Sequence, residues 1–300
     1  MPKQKTTLYV RYLLNTLNNV AKLTLVESAN IVDLLKSQWD NLKNLGKELT
    51  ENQFNIYTEC PGWTIKDLYS HIIGTEKMLL GEKSPPKLEE PWPAHVKNPI
   101  GELNERWILF YKNYQPKELL TVFQEVTENR LSQLKEMKPQ DFEKIGPTPI
   151  GLAPYKEFMS LRLWDCFVHE QDIRVASNKI VNNFDKEILN EVIKRLTKGI
   201  SYVLAKKALI PEELRIVFLI SDQHPLILQF QKINDKVINI IEQVNFKESV
   251  TIELPFINLV RISCGRLDPK DVLNTPNDYL QIIEGHQWAK VILENLNFVF

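Results

Sequence analysis

Cysteine is scarce in this 300-residue chain: Cys60, Cys166 and Cys264 are the full complement, odd in number and about a hundred residues apart. That spacing makes neither a disulfide framework nor a zinc-finger pattern, and it fits a reducing, cytoplasmic compartment. Long apolar runs are missing too. No window approaches the roughly 18 uninterrupted apolar residues of a membrane span. The first 25 residues place basic before apolar ones, but Arg11, Asn15, Asn18 and Asn19 break the run and no small-residue cleavage site follows, so no signal peptide is expected. Nor is there an excess of either charge. The 37 Lys and Arg nearly balance 38 Asp and Glu, for a net charge of −1, and such a balance supplies no field to gather nucleic acid or an anionic membrane. Arginine itself is sparse, 9 against 28 lysines, and arginine forks dominate phosphate and base recognition. The partners to expect are small molecules, with no nucleic acid and no membrane.

What is present is globular: 43% hydrophobic and 25% charged residues, in a length that suits two domains. Residues 1–23 read as an extension of no legible purpose. Residues 24–209 read as helices. Leu25, Ile31, Leu34, Leu35, Trp39, Leu42 and Leu45 form a helical stripe over 24–50. A Pro61-Gly62 turn follows, and Thr64 with Asp67 predicts a capped helix that runs to Leu80 and stops at Gly81. Five prolines make 82–100 a loop, helices are expected over 101–114 and 116–138, and the breakers of 146–151 read as a second loop. The segment 154–177 is apolar over most of its circumference, which predicts a helix buried on nearly all sides. One more helix spans 185–208.

The texture changes at 208–212. Leu214–Ile220, Leu226–Gln231 and Val237–Gln243 are short, β-branched and separated by turn residues, so antiparallel strands are expected, with Val250–Leu254 as a candidate fourth. Helices at 255–262 and 278–290 would complete a small module over 210–300. The fold class is therefore α+β: a helical bundle, then a small α+β domain with an antiparallel sheet.

The chemistry concentrates in two helices. Asp165 and His169, four residues apart, project from one face of the buried helix, and Asp172 lies a further turn along. A carboxylate and an imidazole so placed can grip one metal ion, with His71 of the earlier helix as a third ligand. Three such ligands leave a fourth position open, the catalytic arrangement for Zn²⁺. An Asp–His pair at this spacing is equally a helix salt bridge worth roughly 0.2–0.5 kcal/mol, and spacing alone leaves both readings standing.

The segment Thr58-Glu59-Cys60-Pro61-Gly62-Trp63-Thr64-Ile65-Lys66-Asp67-Leu68, with His71 and Gly74 beyond it, resembles the signature of the DinB-like, mycothiol-dependent maleylpyruvate isomerase family. Val168-His169-Glu170-Gln171-Asp172-Ile173-Arg174 resembles that family's later helix. The resemblance covers most of 24–208 and implies a DinB-like up-down four-helix bundle whose metal ligands fall on His71, Asp165 and His169. The isomerase itself has Glu where this chain has Asp165. It also implies a divalent metal, Zn²⁺ being the expected one, and a low-molecular-weight thiol that the metal deprotonates to a nucleophile. The thiol adds to a small electrophile, giving isomerisation or S-transfer. A "G-R" element of the family's smaller domain falls on Gly265-Arg266, which makes Arg266 a candidate for holding a substrate carboxylate, with Arg261 as its rival. The Lys-, Asn- and Ile-rich composition differs from the Arg- and Ala-rich proteins usual in mycothiol makers, so the identity of the thiol stays open.

Among other residues, Cys166 points about 100° away from the ligand face and reads as packing. Cys60 reads as structural, and Trp63 and Trp164 as core anchors. Asp172 either orients a ligating histidine or pairs with a cation, and Arg162 either neutralises Asp165 or a substrate carboxylate, or pairs in solvent. His95, His224 and His286 are not expected to be ligands. The alternative to an enzyme is a non-catalytic metal-binding or regulatory bundle, or a metal-free interaction module.

Overall fold

The computed structural model describes residues 30–180, 184–221, 226–233, 236–239 and 248–298; the expected extension 1–23, Leu25, His224, and the strand residues beyond Asn239 lie outside them. Helix α1 (Ile31–Lys47) starts where Asn30 caps Val32 N–H, and it buries the striped residues Leu34, Leu35, Trp39, Leu42 and Leu45. Helix α2 (Ile65–Leu79) opens with the reciprocal Thr64–Asp67 capping box. Two proline-started helices follow, α3 (Pro99–Tyr111) and α4 (Pro116–Glu136), with only the short turn α5 (Pro139–Phe142) after them.

The span 146–151, expected as a loop, carries a tight hairpin instead: β1 (Ile145–Thr148) pairs antiparallel with β2 (Gly151–Pro154). Its glycines and prolines sit in a ladder of four residue pairs, where pairing rather than propensity holds the strands. Helix α6 (Tyr155–Ala176) follows, buried almost throughout from Met159 to Ile173, and then α7 (Lys186–Lys206).

Helices α1, α2, α4 and α6 close a ring, each packing on two of the others in the order α1–α6–α2–α4, which makes a four-helix bundle. Helix α3 packs on α2 at Gly74, where any Cβ would lie 2.3 Å from Trp107. The chain divides into two compact units between Val192 and Ile193, inside α7. Composition, which registers the change from helix to strand, places its boundary at the end of that helix instead.

The second unit holds a five-stranded sheet in the order β5–β4–β3–β6–β7: β3 (Leu214–Ile220), β4 (Leu226–Ile233), β5 (Lys236–Asn239), β6 (Glu248–Leu254) and β7 (Gln281–Glu284). Neighbours are antiparallel except for β3 and β6, which run parallel, so the sheet is mixed. Ile216, Phe218, Leu228, Phe230, Val250 and Ile252 are buried along it. Helices α8 (Phe256–Ser263), α9 (Pro269–Asn274), α10 (Pro276–Tyr279) and α11 (His286–Asn295) complete this unit. The single helix expected over 278–290 is in fact α10, β7 and α11. Gly285, at φ +73°, reverses the chain against Ser249 and Val250 of β6 and leaves no room for a Cβ there.

Candidate metal centre

The Cys-Pro-Gly-Trp motif is a small folded hairpin that places one ring. Thr58 N–H donates to Trp63 O at 2.9 Å, Trp63 N–H to Cys60 O at 3.1 Å, and Tyr57 bridges Thr64. Cys60 sits half-buried in the turn, where its N–H donates to Thr58 Oγ1. The turn sets Trp63 over the histidines of the bundle, with ring centroids 5.2 Å from His71 and 6.1 Å from His169.

Those histidines converge on Asp165. His71 Nε2 of α2 lies 3.2 Å from Asp165 Oδ2, and His169 Nε2 of α6 lies 3.5 Å from Asp165 Oδ1. The imidazole rings stand edge-on with centroids 5.0 Å apart. Among the described residues this is the one group of three or more His, Cys, Asp or Glu side chains able to share a cation, with donor atoms all within 4.8 Å of one another.

The set fits a divalent cation. Around an ion with bonds of about 2.1 Å, tetrahedral ligand atoms stand about 3.4 Å apart, close to the two spacings seen. Asp172 Oδ2 accepts from His169 Nδ1–H at 3.0 Å, so Nε2 faces Asp165 either with a lone pair or as part of an imidazolium. A lone pair opposite a carboxylate oxygen is repulsive unless a cation lies between them. His71 Nδ1 is buried and makes no hydrogen bond, so nothing in the protein competes for that ring's orientation.

Electrostatics separates the three groups. Burial pushes His71 below the ordinary imidazole range against the pull of Asp165. Burial acts the same way on His169, but Asp165 and Asp172 outweigh it and raise that imidazole. For Asp165 burial favours the neutral acid, yet His169, Arg162 and His71 together hold the carboxyl well below the usual carboxylate range. From Met159 to Ile173, Asp165 is the one residue of α6 not buried, its side chain keeping 34% exposure. The site opens there.

Around the ligands lies a shell of buried charge. Arg162 Nη1 donates to Asp165 Oδ2 at 2.6 Å, and its Nε donates to Glu76 Oε1 at 2.9 Å. Arg174 pairs with Glu170, which also accepts from Gln38 at 2.6 Å. Glu105 accepts from Trp63 Nε1 at 3.2 Å and pairs with His95 at 3.0 Å. Neither Glu76 nor Glu105 was singled out from the sequence. The available signal was phase: Glu76 follows the buried Ile72 and Ile73 by four and three residues, on the apolar stripe of its helix.

Cys166 is buried, and burial raises its thiol far above the ordinary range, so it packs rather than attacks. Trp63 and Trp164 are both buried. His95 stands with Glu105 and His286 opens α11, and neither belongs to the ligand cluster. In the second unit Arg266 follows Gly265 after α8 and donates to Cys264 O at 3.1 Å, while Arg261 donates to Asn258 at 3.2 Å.

Residues 35–174 match the sequence model of the "Mycothiol maleylpyruvate isomerase N-terminal domain", a stretch that contains His71, Asp165 and His169. Over those residues the bundle of this chain is similar to that domain, which supports the DinB-like, mycothiol-dependent maleylpyruvate isomerase family. No curated protein matches significantly. Among solved structures, the crystal structure of the mycothiol-dependent maleylpyruvate isomerase aligns over 84% of this chain and 91% of its own, at 15% identity and a TM-score of 0.54. A histidine-to-alanine mutant of that isomerase aligns over the same shares at a TM-score of 0.52. At this identity the likeness to the isomerase is one of fold. No described helix is long and apolar enough to cross a membrane.

Proposed function

We propose that this protein is a metal-dependent enzyme that uses a low-molecular-weight thiol to isomerise a small electrophile, or that joins the thiol to it through sulfur. The observation that carries this reading is the convergence of His71, Asp165 and His169 at the one unburied position of α6 between Met159 and Ile173. The match to the family's domain, together with a fold relative that is a mycothiol-dependent maleylpyruvate isomerase, supports the thiol and the reaction class.

Zn²⁺ is the metal we favour, given two imidazoles, one carboxylate and a position left for an exogenous ligand. A bound divalent cation would supply Lewis acidity, lowering the pKa of a thiol presented to it. The chain's own residues do the rest. Asp172 holds His169 with Nε2 turned inward, and Arg162 balances the charge of Asp165 from the other side. Trp63 covers both imidazoles and keeps water from that face. Arg266 is our candidate for gripping a substrate carboxylate, a task that suits a guanidinium fork. Three cysteines about a hundred residues apart in sequence accord with a reducing cytoplasm.

The test is metal analysis of wild type beside His71→Ala and His169→Ala, followed by turnover assays with maleylpyruvate and a panel of small thiols. Wild type should hold about one equivalent of metal. Each variant should lose more affinity than the roughly 10–100-fold that a ligand's supporting partner is worth. Equal metal in all three proteins removes the centre. Metal retained with no thiol-dependent turnover leaves a non-catalytic metal-binding bundle.

A further inference from the structure

Two guanidiniums in the bundle share one carboxylate. Glu76 Oε2 accepts from Arg130 Nε at 3.0 Å and Glu76 Oε1 accepts from Arg162 Nε at 2.9 Å, and no side chain of the three is more than 5% exposed. One carboxylate against two permanent cations leaves a surplus positive charge in the protein interior. Where that charge goes is decided by the remaining donors. Arg130 spends its own on neutral groups: Tyr155 Oη at 2.9 Å, Gln133 Oε1 and Met159 Sδ. Arg162 turns Nη1 to Asp165 Oδ2 at 2.6 Å, while its Nη2 lies 2.9 Å from the same Glu76 Oε1 and 3.7 Å from the neutral thiol of Cys166. The surplus is thus delivered to one place, the carboxylate between the two imidazoles.

We propose that Arg162 offsets the negative charge of Asp165, so that the loaded centre keeps the cation's own charge and draws an anion, a small thiolate above all, to the opening at Asp165. This rests on the metal-centre reading above. Asp172, facing the far nitrogen of His169, is unchanged in both variants used below. Near-contact charges in a site screened from water interact strongly enough for one such charge to change anion affinity about tenfold or more. A neutral ligand lacks that sensitivity. The arrangement therefore sets which class of molecule binds, apart from how firmly the protein holds its metal.

The experiment uses the full-length protein loaded with cobalt(II), whose visible bands report on exogenous ligands. Azide, and 2-mercaptoethanol binding as its thiolate with release of its proton to solvent, are the anionic probes and imidazole the neutral one. In Arg162→Gln, anion affinity should fall about tenfold, imidazole affinity should hold, and cobalt should bind no more weakly than in wild type. Glu76→Gln supplies the opposite sign, because removing the shared carboxylate enlarges the surplus and should tighten anion binding. Circular dichroism establishes that each variant is folded. A purely structural role predicts losses in both variants, of metal and of every probe alike, and that result overturns the proposal. Unchanged azide affinity in either folded variant does so as well. Failure of wild type to take up cobalt, read before any anion is added, removes the metal centre itself and the proposal with it.

Discussion

The bundle and the sheet both bury polar side chains, and they arrange them differently. In the bundle, partners from three helices run through Glu76, Arg130 and Arg162 to meet the two histidines at Asp165. In the second unit, Arg215 reaches Gln229 across β3 and β4, and Thr251 reaches Glu284 across β6 and β7 at 2.8 Å. Each of those is settled by the neighbouring strand. The geometry of the elements explains the contrast. Residues three and four apart on a helix lie on one face and can point with a second helix at a common centre. Strands about 4.8 Å apart hold their side chains in parallel rows. Buried polarity therefore does not itself mark a site; convergence does.

The sharpest way to break that comparison is to remove a hub. Glu76→Ala leaves two buried guanidiniums without their carboxylate and should destabilise the fold by about 3–5 kcal/mol, read by urea denaturation. Its counterpart in the sheet, Glu284→Ala, removes a residue at an exposed position and should cost less than about 1 kcal/mol. Equal losses would erase the distinction. Next in size is Asp172→Asn, which keeps the shape but weakens the hold on His169. Metal affinity should drop roughly 10–100-fold in a competition titration with a chelator, with little change in folding. The smallest effect concerns Glu102, which holds Leu88 N–H of the proline-rich loop at 2.8 Å and pairs with Arg106. The Arg106 hydrogen bond, with further help from Leu88 N–H, brings its carboxyl down to about 2. A lowered folded-state value means the stabilisation is complete above the ordinary 4.5 and is lost as pH falls toward 2. Glu102→Gln should therefore differ from wild type in urea midpoint at pH 7 and converge with it near pH 2; a gap that persists in acid counts against the ion pair.

Much of the bundle was legible because its helices advertise themselves. The Thr64–Asp67 box, Pro116 at a helix start and the apolar wrap of 155–176 each have one physical reading. The hairpin at 145–154 was not legible, since four-residue strands built from glycine and proline exist only through their pairing. The helix expected at 278–290 failed for a related reason: Gln281–Glu284 becomes a strand only because β6 offers an edge, and Gly285 alone hints at the break. Parallel pairing of β3 with β6 is likewise a long-range fact. At the site, the four-residue spacing of Asp165 and His169 and the resemblance of the motifs pointed to three side chains that the structure brings together. Spacing could not choose between ligand and salt bridge, nor show that Glu76 and Arg130 stand behind it. Single charged residues on a helix read as solvated until the opposing helices are in place.

That α6 is sealed from Met159 to Ile173 except at Asp165 has a kinetic side. An ion held there would have a single doorway, so its exchange with the medium should be governed by the bulk of whatever comes to fetch it. A small chelator should strip the protein faster than a large one of equal strength, and the occupied state should outlast what its equilibrium affinity alone suggests.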